Sequence, residues 1–444
     1  MPALKRSITL FEASAYGIGV IVGGGIYALI GSASGIAGNA VWLSFVFAAI
    51  TAMFTALSYA ELSSMMPKAA AEYVYTKNAF RSRKVAFLIG WTTLYAGILT
   101  ISTVAVGFAG YAQTFIGLPG FVISIFLVAV LSLLNFWGIK KSAKLNIGFT
   151  LIEVLGLIAI IAIAIPFFGS VNYMEVPGNL QGFGMLAPIA SAAALIFFAY
   201  LGFEDIANLS EETKNARRNI PKALLLALAI STILYIAVSL AVVSVVPWQE
   251  LSKSSAPMEL VAQRATGGQV IGVLAIIAMI ATMSTLLVSL IAFSRRVYGM
   301  AEQGILPRHF AKVHGITGTP YVAIASAAII SILFVFVGGI SQIASLTNLG
   351  LFVIFFAVNA SLIALRFREP NARREFRVPF SVRGVPITGV LGCILSVFML
   401  FQISGAISIA GFDVPIIFVG GAIILASLPV YFVFYSGRDR AQSS

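Results

Sequence analysis

The sequence is poor in charged residues and has almost no cysteine or histidine. Charged residues make up 10% of its 444 positions, against about 25% in soluble proteins, so a soluble globular domain is excluded. The single cysteine, Cys393, excludes a framework of disulfides within the chain. His309 and His314 have no cysteine near them, so we expect no metal site. Because the sequence also offers no cluster of nucleophiles, we expect neither an enzyme nor a cofactor.

Hydrophobic residues, in contrast, make up 59% of the sequence, and the mean hydropathy is +1.00. Apolar runs of about twenty residues recur from end to end, and each can cross the ~30 Å hydrocarbon core of a lipid bilayer. The pattern predicts an all-α polytopic membrane protein. We expect twelve spans, at residues 10–33, 39–63, 86–115, 119–138, 145–168, 187–209, 220–246, 269–300, 320–338, 341–365, 384–410 and 412–435.

The net charge of +12 indicates membrane topology rather than binding to nucleic acid. With twelve spans, 26 of the 28 Lys and Arg residues fall on one side, and only Lys253 and Arg264 fall on the other. The positive-inside rule then predicts that the N- and C-termini are both cytoplasmic. We expect a multi-pass protein of the plasma membrane. The first span is too long and too rich in glycine for a cleaved signal peptide.

The first span contains Gly23-Gly24-Gly25 deep inside an apolar run. Glycine costs about 1 kcal/mol relative to alanine inside a helix, so we expect the helix to open here. The half-helix that restarts after the opening would present amide groups and a partial positive charge to the gap, which suits a carboxylate. Alternatively, the glycines allow a neighbouring helix to pack closely. The spacing alone does not decide between these two interpretations.

A second interruption is expected in span 6, where Gly202 and acidic residues follow Phe198. Spans 1 and 6 open two blocks of five spans, 1–168 and 187–366. Because five is odd, the second block would be inverted relative to the first. Interrupted helices at matching positions of inverted halves indicate a transporter binding site near the bilayer midplane. Residues 384–435 would add two helices, and 436–444 a short cytoplasmic tail.

Four stretches of the sequence resemble motifs of the amino acid–polyamine–organocation (APC) permeases, in the order in which that family carries them. They are GIGxxxGGGIY at 17–27, FAYLGFExxxNxxEExKNxRRNIP at 198–221, SRxxxxMAxxGxLP at 294–307 and LRFRxPxxxRxFRVP at 365–379, where x marks a position that is not part of the resemblance. The resemblance implies a five-plus-five inverted repeat of the leucine-transporter type, with helices 1 and 6 unwound in mid-membrane. It also implies a secondary active amino acid transporter that works by alternating access.

The resemblance further implies a substrate site at the two interruptions. The α-carboxylate of an amino acid would accept N–H groups of Gly23, Gly24 and Gly25, while Phe198 would cover the substrate as a gate. The substrate ammonium would bind backbone carbonyls freed at the two openings. The residues of this expected site other than the glycines of span 1 are Ile21, Val22, Phe198, Ala199, Leu201 and Gly202.

Glu153 lies near the middle of span 5, where a carboxylate costs about 2.5–3.5 kcal/mol on insertion scales and is a functional hypothesis by default. We expect it to load and release a coupling proton; alternatively, it is a protonated residue bonded to a neighbouring helix. Some proton-coupled members of the family that resemble this sequence carry a lysine here, in the place of the sodium ion of sodium-coupled relatives. The glutamate departs from that pattern and leaves the coupling mechanism open.

Ser284 and Thr285 match positions where sodium-coupled relatives bind the ion, although hydroxyls in membrane helices commonly bond to their own backbone. Glu204 and Asp205 could bind a proton, form a gate, attract a cationic substrate side chain, or pair with loop arginines. No Lys or Arg lies at mid-depth in any span, which disfavours acidic substrates. We therefore expect proton-coupled uptake of neutral amino acids, with Na⁺ less favoured than H⁺. An amine or polyamine permease, an amino acid exchanger, a channel and a sensor remain alternatives.

Overall fold

The computed structural model describes residues 8–68, 71–137, 142–268, 270, 272–302, 304–409 and 411–432. Nearly all of the regular structure in these residues is helical. The predicted tail at 436–444 lies outside them.

The helices follow one another along the chain. In the first part they are α1 (Leu10–Ile21), α2 (Gly24–Ala37), α3 (Val41–Met65), α4 (Ala71–Phe80), α5 (Arg83–Ala112), α6 (Gly120–Trp137) and α7 (Ser142–Ala164). After these come α8 (Leu186–Ile196), α9 (Asp205–Asn208), α10 (Ala216–Val245), α11 (Trp248–Leu251), α12 (Pro257–Thr266), α13 (Val273–Glu302), α14 (Tyr321–Val335), α15 (Ile340–Arg368), α16 (Ile387–Gln402) and α17 (Ile416–Leu425).

Two small antiparallel hairpins join the last helices. They are built from β1 (Ser381–Val382) with β2 (Val385–Pro386), and from β3 (Ala406–Ile409) with β4 (Phe412–Pro415). The hairpins flank α16, so they lie in connections and not in the helical core.

Eight helical segments of the described chain are long and apolar enough to cross a membrane. Three further apolar helices are shorter, at Tyr321–Val335, Ile387–Gln402 and Ile416–Phe432. Large apolar side chains point outward from several of these helices; Phe126 on α6 and Leu333 on α14 are examples. The predicted all-α polytopic membrane protein is confirmed. The count of twelve spans and the inverted repeat stay predictions.

The first helix begins with a capping box. Thr9 Oγ1 accepts a hydrogen bond from the Glu12 amide at 3.3 Å, and Glu12 Oε2 accepts one from the Thr9 amide at 2.8 Å. This reciprocal pair satisfies two amides that have no partner within the helix. This pair of hydrogen bonds fixes where the first helix starts.

That segment is interrupted between α1 and α2. The helix stops at Ile21 and restarts at Gly24, with Val22 and Gly23 between the two parts. The opening thus begins one residue before the glycine triplet, and Gly24 and Gly25 already form the first turn of α2.

The second interruption lies between α8 and α9. A 3₁₀ turn at Phe197–Tyr200 follows α8, and Gly202 then adopts a positive φ of 111°. A Cβ atom at Gly202 would lie 2.3 Å from Cγ1 of Val20 in α1. Glycine is therefore required here both by the left-handed conformation and by the close approach of the two interrupted segments.

Candidate functional site

A cavity lies between the two interruptions and collects most of the predicted site. Its wall includes eight predicted residues, namely Ile21, Gly23, Gly24, Gly25, Phe198, Leu201, Ser284 and Thr285. The wall also contains Asp205, which the sequence offered as a partner for a cationic substrate side chain or for arginine. Further wall residues that the sequence did not single out for the substrate site are Gly19, Val20, Thr100, Val288 and Ser289. The wall thus combines α1, α2, α5, α9 and α13 with the turn after α8. The other predicted residues, Val22, Ala199, Gly202, Glu153 and Glu204, lie outside this wall.

The glycine triplet is also a close-packing surface. A Cβ atom at Gly23 would lie 2.1 Å from Thr285 Oγ1, and one at Gly24 would lie 2.8 Å from Thr282 Cγ2. At Gly25 the Cβ would lie 2.8 Å from the Ala199 Cα. The two interpretations of the glycines are therefore compatible, because the same residues border an open turn and admit α13 and the turn after α8 at close range.

The predicted carboxylate site has one amide that is already engaged. The Gly24 amide donates a hydrogen bond to Thr285 Oγ1 at 2.9 Å. A substrate carboxylate that accepts this amide must therefore displace the threonine hydroxyl. Since α2 begins at Gly24, the amides of its first turn have no carbonyl partner within the helix and face the interruption.

Tyr235 of α10 connects the two interruptions. Its hydroxyl lies 2.5 Å from the Ile21 carbonyl oxygen and 2.9 Å from the Ala199 carbonyl oxygen. Both carbonyls belong to the set predicted to bind a substrate ammonium, and each has a second lone pair available. The sequence offered only a weak signal for this role, namely that Tyr235 is the only aromatic residue of the predicted span 220–246.

Glu153 lies behind the cavity wall, where its side chain is 1% exposed. Its Oε1 accepts a hydrogen bond from the Ser284 hydroxyl, and its backbone carbonyl accepts one from the Tyr27 hydroxyl at 2.6 Å. Its Oε2 is buried and has no hydrogen-bond partner within the described part of the chain. Glu153 is therefore connected to the cavity through Ser284, which lines the wall.

Each of the two hydroxyls of α13 bonds to the backbone of its own helix and also has a second partner at the candidate site, so both interpretations of the sequence apply. Ser284 and Thr285 each bond to the Ala281 carbonyl one turn earlier, at 3.0 and 2.9 Å. Ser284 also contacts Glu153, and Thr285 also accepts the amide of Gly24. Bonding to the helix backbone thus does not prevent either hydroxyl from acting at the site.

A second cavity adjoins the first, on the side of the protein where α1 begins, which we call the N-terminal side. The two cavities share Thr100, Leu201, Asp205 and Ser289. The second cavity is the more highly charged of the two. Its charged wall residues are Glu72, Glu204, Asp205 and Arg296.

The carboxyl groups around the second cavity have different partners. Asp205, at the start of α9, forms an ion pair with Arg296 of α13. Glu204 instead accepts the Gly202 amide at 3.0 Å and so stabilises the turn after α8. Glu72 of α4 accepts the Tyr59 hydroxyl at 3.1 Å, and burial raises the pKa of Glu72. The arginine that pairs here is on α13, whereas the sequence suggested loop arginines.

Residues 8–433 match the sequence profile of the family described as amino acid permease. The chain belongs to this family. The resemblance to APC permeases is confirmed, and the protein is a multi-pass membrane transporter and not an enzyme.

Several relatives of this permease have names that state a substrate. It is 32% identical to branched-chain amino acid permease BcaP of Bacillus subtilis, over 97% of this chain and 93% of the relative. It is 29% identical to the methylthioribose transporter of the same organism, over 91% of this chain and 89% of the relative. It is 30% identical to human cationic amino acid transporter 4, over 83% of this chain and 61% of the relative. The names differ in substrate, so similarity alone supports transport of amino acids and no finer class.

Proposed function

We propose that this permease is a secondary active transporter that takes up neutral amino acids together with protons by alternating access. The observation that carries the proposal is the cavity between the two helix interruptions, which brings backbone of both broken segments to one wall. Interrupted helices around a central site are the arrangement by which transporters of this type bind small charged groups.

Recognition of the substrate backbone would use the two ends of the interruption in the first segment. The amides of Gly23, Gly24 and Gly25 would bind the α-carboxylate, helped by the partial positive charge at the start of α2. The carbonyls of Ile21, Val22, Phe198, Ala199 and Leu201 would accept hydrogen bonds from the ammonium. Phe198 would cover the bound substrate, and Gly202 would permit the turn that places these carbonyls.

Coupling would use Glu153 and Ser284. A buried carboxylate that lacks a cation partner is costly, and a proton removes that cost. The contact between Glu153 and Ser284 would then link the protonation of the carboxyl to the cavity, because Ser284 contacts both. The Thr285 hydroxyl would be displaced from the Gly24 amide when the substrate carboxylate binds there. Glu204 would assist proton release on the N-terminal side.

We further propose twelve spans in two inverted blocks, 1–168 and 187–366, followed by 384–435. The 56-residue segment Leu10–Met65 would be about 84 Å long as a helix, well over the ~30 Å of one hydrocarbon core, which supports two passes there. The positive-inside rule supports cytoplasmic termini, and we propose the plasma membrane as the location.

The test is uptake of labelled amino acids into sodium-free proteoliposomes, with and without an inward proton gradient. We expect the gradient to drive accumulation of neutral amino acids, and Glu153→Gln to abolish that stimulation. If the gradient has no effect while preloaded amino acid accelerates entry, the permease is an exchanger and the role of Glu153 is wrong. Flux that appears only when sodium is added would favour sodium coupling.

A carboxylate-free substrate, such as an amine or polyamine, is the second candidate. The Gly24 amide is already bonded to Thr285, and a substrate without a carboxylate would leave that bond intact. One relative is named as a methylthioribose transporter, so not every relative of this chain is named for an amino acid. Competition by amine analogues that lack the α-carboxylate distinguishes the two: we expect them to compete weakly, and strong competition would favour the second candidate.

A further inference from the structure

Asp205 is the charged residue that faces the candidate substrate cavity. Among the described residues of that wall it carries the only charge, and the rest of the wall consists of glycine backbone, hydroxyl groups and apolar side chains. A carboxylate in such a wall would favour a substrate that carries a second positive charge, because Coulomb attraction is strong where water is scarce.

Arg296 occupies the position that such a positive charge would take. Its guanidinium forms an ion pair with Asp205 from the second cavity, and the two side chains are only 28% and 20% exposed. Arg296 does not belong to the motif residues that the sequence shares with APC permeases at the end of span 8, which are Ser294, Arg295, Met300 and those that follow. The resemblance therefore assigns it no role.

We propose that Arg296 makes the permease selective for neutral amino acids by occupying the carboxylate that would otherwise bind a cationic substrate side chain. This inference rests on the proposed function and specifies its substrate class. Arg296 acts on the substrate through Asp205, so it is a positioning residue.

The surroundings of Arg296 explain why its removal should change selectivity and not merely weaken binding. Glu72 and Glu204 also line the second cavity. Where these carboxyl groups are ionised, the Arg296 guanidinium balances part of their negative charge. Without Arg296, the Asp205 carboxylate loses its ion-pair partner. A lysine substrate bound by its backbone at the interruptions could then extend its ammonium towards Asp205.

The experiment measures competition of unlabelled lysine and leucine against labelled leucine, on the purified full-length permease. The readout is the ratio of the two half-inhibitory concentrations, lysine over leucine. Arg296→Gln removes the guanidinium, and Asp205→Asn with Arg296→Gln also removes the carboxylate. Arg295→Gln is the matched control, because Arg295 is the adjacent residue of α13 and is exposed.

We expect lysine to compete at least about 100-fold more weakly than leucine in the wild type, and Arg296→Gln to reduce the ratio at least about tenfold. The double variant should return to the wild-type ratio, and Arg295→Gln should keep it. If Arg296→Gln does not purify as a monodisperse protein, Arg296→Met, which retains an apolar stem, takes its place.

Equal competition by lysine and leucine in the wild type would overturn the inference. An unchanged ratio in Arg296→Gln with leucine binding intact would also overturn it, as would a gain of lysine competition that survives in the double variant. In each of these results leucine still binds, so the proposed function stands. A wild type that binds neither amino acid would overturn the proposed function itself, and the inference with it.

Discussion

Two ion-pair clusters on the N-terminal side of the permease use the same chemical groups in different surroundings. The first is centred on Glu61 of α3, which is fully buried. Arg366 donates to Glu61 Oε2 at 2.6 Å, and the Val378 amide donates to the same oxygen at 2.8 Å. The Arg374 Nε lies 3.0 Å from Glu61 Oε1, and the Arg374 side chain is also fully buried. This sealed cluster ties α3 to the end of α15 and the loop beyond it.

The second cluster is the pair of Asp205 and Arg296, which borders both cavities and is partly exposed. The sealed cluster holds together elements that are distant in sequence, and its carboxylate has several partners. The cavity pair joins α9, which belongs to an interrupted segment, to the continuous helix α13. The two clusters thus differ in burial and in the number of partners of the carboxylate, and not in the presence of an ion pair.

The largest expected effect is the loss of the sealed cluster. Glu61→Gln should lower the free energy of unfolding by about 3–5 kcal/mol, because it leaves two buried guanidinium groups without their carboxylate. The measurement is the melting temperature of the purified protein in detergent. Glu375→Gln is the control, since Glu375 pairs with the highly exposed Arg373 in the same loop; it should cost no more than about 1 kcal/mol. Equal losses in the two variants would show that the sealed cluster is not special.

A smaller loss is expected for the cavity pair. Asp205→Asn should cost about 1 kcal/mol of stability, because water partly screens both groups. The melting temperature of Asp205→Asn should therefore fall much less than that of Glu61→Gln. If Asp205→Asn destabilises the protein as much as Glu61→Gln does, the two clusters serve the same structural purpose.

Glu72 provides a pH-dependent test of the cavity side. It faces Tyr59, Tyr75, Glu204, Asp205 and Arg296. Burial raises its pKa above the ordinary value of 4.5 in the folded protein. The folded state therefore holds this proton up to a higher pH than the unfolded state does. Protonation of Glu72 thus contributes its full stabilisation of the folded protein below pH 4.5. This contribution is lost as the pH rises through the folded pKa.

The melting temperature of the wild type should therefore fall more steeply above pH 4.5 than that of Glu72→Gln, by about a few degrees in total. Glu369→Gln, which alters an exposed carboxyl, should follow the wild type. If the melting temperature of Glu72→Gln changes with pH in parallel with that of the wild type, the charge of Arg296 offsets the effect of burial on the pKa of Glu72.

The sequence could predict the membrane class, the two interruptions and most of the cavity wall, because apolar runs, glycine in a span and family motifs are local signals. It could not predict which of two adjacent arginines faces the cavity. Successive helix residues point about 100° apart, so the rotation of α13 alone decides that Arg296 meets Asp205 while Arg295 faces outward. Nor could it pair Glu61 with Arg374, since more than three hundred residues separate them. Tertiary packing supplies both facts.

The smallest expected change in stability concerns Glu153, which is as buried as Glu61 but bonds to a hydroxyl instead of arginines. A glutamine has nearly the same shape, can accept the Ser284 hydroxyl and carries no charge. Because no buried cation is left unpaired by the change, Glu153→Gln should alter the free energy of unfolding by less than about 1 kcal/mol. Its melting temperature should thus stay near that of the wild type, even where stimulation of uptake by a proton gradient is lost. A large destabilisation would instead assign Glu153 to the structural class of Glu61, and the loss of transport in that variant would then say nothing about protons.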